Sequence, residues 1–299
     1  MIANGVWEAL DRLGIPYRRT MSLKPLSTFR IGGTAELVLL PDSGEQLADT
    51  VRLLRQAEVR MEILGNGSNV LFGDGLLEGA LILTKGMDAC RVEGTQVIAE
   101  AGVSLATLAN TAAQASLTGL EFVRGIPGTV GGALTMNAGA YGGAMSDVTV
   151  KGLALNARTG KRMELTDHSY GYRESVYLSN PDLICLRGEF SLREGDRGVI
   201  DDTMRSFATQ RKEKQPLEYP SAGSYFKRPA GHFAGKLIED CGLKGHTVGG
   251  AQISRKHAGF IINLGDATAD DVLRLEEFVR GEVFRRFGVT LEREVRLIR

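Results

Sequence analysis

The stretch "EFVRGIPGTVGGALTMNAGAYGG", residues 121–143, decides how the chain is read. Glycine stands at Gly125, Gly128, Gly131, Gly132, Gly139, Gly142 and Gly143, around the pair Met136-Asn137. Neither a Walker lysine nor the alternating glycines of a dinucleotide fingerprint accompanies them. Pro127-Gly128-Thr129 followed by Gly131-Gly132 predicts a loop poor in side chains and rich in N–H groups. Asn137, Ala138, Gly139 and Ala140 leave room for a flat ligand against the backbone. The plainer alternative is that the glycines only let strands or helices cross closely.

A second glycine stretch, "ILGNGSNVL" (residues 63–71), reads as strand, turn, strand. Gly65 and Gly67 permit close approach, and Asn66, Ser68 and Asn69 add short polar groups; successive N–H groups in such a turn suit a pyrophosphate. A plain β-turn is the alternative. The segment "NVLFGDG" at its end does not read as a helix start, so this is not a Rossmann loop. Together the two stretches point to a large, flat, phosphate-bearing ligand.

The 299 residues suffice for two or three domains, and 43% hydrophobic content is ample for a core. Lys+Arg and Asp+Glu are equal at 36 each, which gives no electrostatic case for nucleic acid or an anionic membrane. Cys90, Cys185 and Cys241 are odd in number and far apart, and read as reduced thiols rather than metal ligands. The histidines His168, His232, His246 and His257 lack metalloenzyme pairing and read as structural or surface groups. No metal is expected. With no apolar run of signal-peptide or membrane-spanning length, a cytoplasmic protein is the expectation.

Helices are predicted for "NGVWEALDRLG", for "GEQLADTVRLLRQAEV" and for "SLATLANTAAQASLTG", the last with Ser104 as N-cap and Gly119 just past its end. "LALNARTGKRMEL" predicts a hairpin turning at Thr159-Gly160. "IDDTMRSFATQRKEKQP" predicts a helix with Ile200, Met204 and Phe207 on one face, and the main boundary is placed near residue 200. Thr268 with Asp271 forms a capping box for "ADDVLRLEEFVRGEVFRRFG". "VTLEREVRLIR" predicts a closing strand with Glu292, Glu294 and Arg296 on its polar face. In "QPLEYPSAGSYFKRP" (residues 215–229), prolines and a glycine hold Ser221 and Ser224 in a rigid loop. A serine in a loop is usually a turn residue, and no GxSxG elbow surrounds these two.

Taken in order, "STFRIGG", "LGNGSNVL", "GLEFVRGIPGTVGGALTMNAGAYGG", "YRES", "PSAGSYFKRP", "AGKLIEDCGLKG", "GGAQISRKHAGFIIN" and "LEREVRLI" resemble the UDP-N-acetylenolpyruvoylglucosamine reductases of bacterial peptidoglycan synthesis, in their shorter form. The resemblance runs from about residue 27 to residue 298. It implies an α+β protein: a two-subdomain FAD-binding fold of the vanillyl-alcohol-oxidase type plus a smaller C-terminal α+β domain for a UDP-sugar. On this view residues 1–86 and 87–200 are the two FAD-binding subdomains, and the final strand, 290–299, is free to return to the second. Residues 201–289 then bind the UDP-sugar.

The resemblance further implies non-covalent FAD, with NADPH as reductant and UDP-N-acetylglucosamine enolpyruvate as small-molecule substrate. Arg30, Gly65, Asn66, Gly67, Ser68, Asn69, Pro127, Gly128, Thr129, Gly131, Gly132, Asn137 and Gly139 correspond to the cofactor site. Ser224 corresponds to the general acid, and Arg173 with Glu294 to the pair that assists the enolate. Tyr172, Lys214 and Lys227 correspond to substrate contacts. A monomer or weak oligomer is expected. Arg293 departs from the smaller residue or proline expected beside Glu294, and is expected on the other strand face with no part in the chemistry.

These residue types suit the reaction. Charge developing on the substrate carboxylate is met by the planar, permanently charged guanidinium of Arg173. A hydroxyl such as Ser224 can protonate a strongly basic carbon when held within reach. Glu294 helps only as a neutral acid or by orienting another donor. Two readings compete with this one: an FAD-linked oxidase on the same fold, and a non-catalytic nucleotide-binding module.

Overall fold

The computed structural model describes residues 2–299, and the chain divides into two compact units. The first comprises residues up to Arg19, Leu37–Asn66 and Glu78–Gln210; the second comprises Thr20–Glu36, Gly67–Leu77 and Arg211–Arg299.

In the first unit, an antiparallel sheet orders the strands Arg162–Leu165, Thr149–Asn156, Leu183–Ser191, Gln96–Glu100 and Cys90–Glu93. The predicted hairpin at Thr159-Gly160 is present, with Gly152 opposite Leu165 and Leu155 opposite Arg162. The helix Leu105–Gln114 and the short helix Val130–Met136 bury Leu105, Leu108, Ala112, Val130 and Leu134 in the core of this sheet. Ser104 caps the first of them, its hydroxyl accepting from the Thr107 N–H at 3.0 Å. Ile200 and Met204 of the helix Arg197–Lys214 join the same core. A second core gathers Val6 and Leu10 with Leu47, Val51 and Leu54 from the two predicted N-terminal helices. It also takes Ile82 of the strand Leu76–Leu83, which runs parallel to Met61–Leu64.

The glycine motif does not form the open loop its composition predicts, because a helix, Val130–Met136, begins inside it. Glycine is a poor helix former. Here burial of Val130 and Leu134 and the cap at Thr129 outweigh propensity. Gly131 is needed for contact: a Cβ there would lie 2.9 Å from the Ala101 Cβ.

The second unit has an antiparallel sheet in the order Ser221–Ser224, Phe260–Asn263, Ala251–Ile253, Thr247–Val248. Helices Ala234–Asp240 and Ala269–Phe287 supply much of its core. In the longer helix Val272, Leu275, Val279 and Val283 recur at helical spacing and are fully buried. Each contributes about 1.5–3 kcal/mol of apolar burial. The predicted capping box is present: Thr268 Oγ1 accepts from the Asp271 N–H, and the Asp271 carboxylate accepts from the Thr268 N–H, both at 3.1 Å.

The closing strand is shorter than predicted and does not return to the 87–200 segment. Only Arg296–Ile298 is regular strand, and it pairs in parallel with Val70–Phe72. Just upstream, Glu292–Glu294 pairs with the segment after Ser224, so the stretch divides between two partners and cannot run as one strand. Across the split Leu291 and Val295 are buried and Glu292 and Arg296 exposed, but Arg293 and Glu294 are both half-buried and Ile298 is buried, so the strict alternation of a single strand is lost.

Asp271 also accepts from the Gly250 N–H at 3.2 Å. The Thr268 and Gly250 N–H groups hold its carboxyl below the ordinary carboxylate value. Because the folded-state value is the lower one, this stabilisation is present above about pH 4 and is lost as pH falls through the folded value. Asp271→Ala is expected to cost about 1–2 kcal/mol at neutral pH. Denaturant titration should show that difference shrinking in acid; a pH-independent difference would contradict the assignment.

Candidate active site

In the first unit the glycine motif does two things its composition does not reveal. Several of its N–H groups are used inside the protein. Gly131 donates to the Ala101 carbonyl (2.8 Å), Val130 to Val103 (2.9 Å), and Gly128 to Ile126 (2.8 Å). Gly132 donates to the Thr129 hydroxyl at 3.5 Å. The plainer alternative, close crossing, therefore accounts for Gly131. Pro127 and Gly132 are exposed, while Thr129 is buried.

The second thing is the placing of Arg173. Asn137 ends the short helix in a left-handed conformation (φ 41°) and is buried. Its Nδ2 donates to the Gly171 carbonyl (2.9 Å) and its Oδ1 accepts from the Ser146 N–H (3.0 Å). The Arg173 guanidinium donates to the Asn137 and Gly139 carbonyls, both at 3.2 Å. Its carbon lies 5.2 Å from the centre of the exposed Tyr172 ring. Arg173 itself has φ 58°, unusual for a residue with a side chain. Ser175 anchors the loop to the Thr135 carbonyl at 2.6 Å. Nearby His168 is buried and stacked on Tyr170, and burial pushes its imidazole below the ordinary value, in keeping with a structural group. The motif thus holds Arg173, Tyr172 and itself in one place, a link that sequence spacing does not show.

The glycine turn at 65–69 is present between the strands Met61–Leu64 and Val70–Phe72. Asn66 ties it to the motif, its Nδ2 donating to the Pro127 carbonyl at 2.6 Å. The Gly67 and Asn69 carbonyls accept from Thr28 and Arg296 at 3.1 and 3.0 Å. Among the described residues, the N–H groups of Gly67, Ser68 and Asn69 meet no protein acceptor. Such a run of amides fits the pyrophosphate of a dinucleotide cofactor. Arg30 is exposed and, like Asn137, in a left-handed conformation (φ 54°).

In the second unit, Ser224 ends the edge strand Ser221–Ser224 beside a bulge. Ser221 lies opposite Ile262 and Ser224 opposite Phe260, so one residue is extra. Gly223, at φ 79°, makes that irregularity possible, and Ser224 is left exposed. The next residue, Tyr225, is fully buried, and its carbonyl accepts from the Glu294 N–H at 2.9 Å. Phe226 bridges to Arg293, and the Lys227 N–H donates to the Glu292 carbonyl at 2.8 Å. Ser224 and Glu294 are therefore carried on two segments paired directly to one another. Asn69 reinforces this by donating to the Glu294 carbonyl at 3.2 Å. The Lys227 ammonium lies 3.6 Å from the Glu292 carboxylate, and Lys214 is exposed at the end of its helix.

Residues 215–298 match the family model of the UDP-N-acetylenolpyruvoylglucosamine reductase C-terminal domain, and residues 35–166 match an FAD binding domain. The chain is 44% identical over 283 residues to the UDP-N-acetylenolpyruvoylglucosamine reductase of Clostridium novyi (strain NT), covering 94% of this chain and 92% of that one. It resembles the crystal structure of UDP-N-acetylenolpyruvylglucosamine reductase from Thermus caldophilus with a TM-score of 0.82 and 35% identity. That match covers 95% of this chain and 100% of the other. The glucose dehydrogenase Phl p 4.0202 is similar at a TM-score of 0.52 and 16% identity, over 65% of this chain and 45% of that one, a likeness of fold alone.

Asn137→Ala removes two hydrogen bonds and leaves a side chain in the left-handed region. It is expected to lower stability by about 2–4 kcal/mol. Chemical denaturation checks this, and an unchanged midpoint would contradict the anchoring role.

Proposed function

The chain belongs to the UDP-N-acetylenolpyruvoylglucosamine reductase family, and from that premise we propose that it reduces the enolpyruvyl ether of UDP-N-acetylglucosamine enolpyruvate to the lactyl ether of UDP-N-acetylmuramate. The fold is α+β, an FAD-binding fold of the vanillyl-alcohol-oxidase type with the family's C-terminal domain. Residues 1–86 and 87–200 are assigned to FAD and 201–289 to the UDP-sugar. FAD, when bound without a covalent link, would supply the hydride, with NADPH as its source. The run of amides at Gly67–Asn69 supports the assignment of Gly65–Asn69 to the pyrophosphate. Arg30 and the motif residues Pro127, Gly128, Thr129, Gly131, Gly132, Asn137 and Gly139 are assigned to the same cofactor. A cytoplasmic monomer or weak oligomer completes the reading.

The observation that carries the catalytic assignment is the pairing of the Ser224 and Glu294 segments through Tyr225. Ser224 gives its hydroxyl proton to the substrate carbon next to the carboxylate. The bulge and the strand pairing hold that hydroxyl still, which offsets its weak acidity. Arg173 meets the substrate carboxylate as charge collects there. Its fork is already oriented by the Asn137 and Gly139 carbonyls, so little reorganisation is needed. Glu294 acts as a neutral acid on the same carboxylate or orients another donor; ionised, it would oppose the charge. Tyr172, Lys214 and Lys227 contact the sugar or the phosphates. Lys227 exchanges Glu292 for phosphate at small cost, since a solvent-facing ion pair contributes about 0–1 kcal/mol.

Ser224→Ala should leave the flavin reducible by NADPH but unable to be reoxidised by the enol ether. Equal loss of both steps, or of neither, refutes the assignment. Arg173→Lys keeps a positive charge but loses the fork. It should slow reoxidation about 10²–10³-fold with reduction unchanged. Rapid-mixing absorbance of the flavin reads both.

A further inference from the structure

The helix Ala269–Phe287 carries one group that its buried face has no packing reason to hold. Glu276 lies among Val272, Leu275 and Val279 and is buried. Burying a carboxylate is unfavourable unless it is paired and hydrogen-bonded. Two donors and one further cation answer it. The Tyr225 hydroxyl donates to Oε2 at 2.8 Å, and Arg293 Nη1 donates to the same oxygen at 3.3 Å. Arg280 Nη1 stands 3.8 Å from Oε1.

The identity of these partners matters. Tyr225 follows Ser224, and Arg293 precedes Glu294. One carboxylate oxygen therefore receives a side chain from each of the two paired segments, beside the backbone bond from the Glu294 N–H to the Tyr225 carbonyl. Tyr225 is a firm donor, because burial and the adjacent Glu276 both push its hydroxyl above the ordinary value. Arg293, set aside at the level of sequence, is the other arm.

We propose that Glu276 is a positioning residue for proton transfer: its buried carboxylate clamps Tyr225 and Arg293 together and so fixes Ser224 and Glu294 relative to one another. The clamp acts through its neighbours and touches no substrate. It rests on the reading of Ser224 as the proton donor, so Ser224→Ala accompanies the test. A displacement of about 1 Å at a reacting group can cost about 10²-fold in rate, so loosening the clamp should register in catalysis.

The test uses the FAD-loaded enzyme. Glu276→Gln and Tyr225→Phe are each expected to slow reoxidation by the enol ether about tenfold or more, with reduction by NADPH within about twofold of wild type. Since Glu276→Gln weakens and Tyr225→Phe deletes the same contact, the double variant should be slowed by less than the product of the two single effects. Amide exchange at Glu294 should quicken in both single variants. A role in stability alone would lower the melting temperature without separating the two half-reactions. Reoxidation near the wild-type rate in either variant that folds, or equal slowing of both half-reactions, overturns the proposal. Should Glu276→Gln fail to fold, Tyr225→Phe, which deletes only a hydroxyl, is judged by the same criteria. If Ser224→Ala blocks reoxidation while Tyr225→Phe does not impair it, only the clamp fails. If Ser224→Ala reoxidises normally, the donor assignment itself fails and the clamp with it.

Discussion

The close approach of residue 131 to Ala101 is the contact on which the first unit's chemistry depends. A side chain at 131 would collide with the Ala101 side chain, and only a glycine lets the 131 N–H reach the Ala101 carbonyl. That contact, with the neighbouring bond from Val130 to Val103, seats the Thr129 cap and the short helix behind it. The helix delivers Asn137 in a left-handed turn, and Asn137 presents the carbonyl that orients Arg173. A rigid scaffold beneath a permanently charged fork is what stabilisation of developing charge requires.

In the second unit the equivalent constraint is the pairing of two irregular segments. Neither Ser224–Lys227 nor Glu292–Glu294 is long enough to hold itself. A single bridge made of two backbone bonds joins them, and side chains from both meet on the helix behind. A weak acid such as serine is effective only where its position is over-determined. The cost of burying Glu276 becomes intelligible as part of that arrangement.

Features set by local chemistry were legible in the sequence: the Ser104 cap, the Thr268–Asp271 box, the hairpin at Gly160 and the strand–turn–strand around Gly65–Asn69. The family resemblance supplied what local patterns could not, the FAD-binding fold and the enolpyruvyl chemistry. Three features escaped. The helix inside the glycine motif depends on tertiary burial of Val130 and Leu134, which overrides glycine's low propensity. The closing strand divides because its two halves find different partners far away in sequence. Glu276 left a signal, a lone carboxylate on a helix face otherwise made of Val272, Leu275 and Val279. Reading it required knowing that Tyr225 and Arg293 would arrive opposite.

The central claim is that electrons from NADPH pass through bound flavin to an enolpyruvyl ether. It is tested most directly by following flavin colour in the purified protein without oxygen. NADPH should bleach the flavin, and one equivalent of UDP-N-acetylglucosamine enolpyruvate should restore the colour as UDP-N-acetylmuramate forms. A protein that takes up no FAD, or whose bleached flavin regains colour only when air is admitted, would contradict the account.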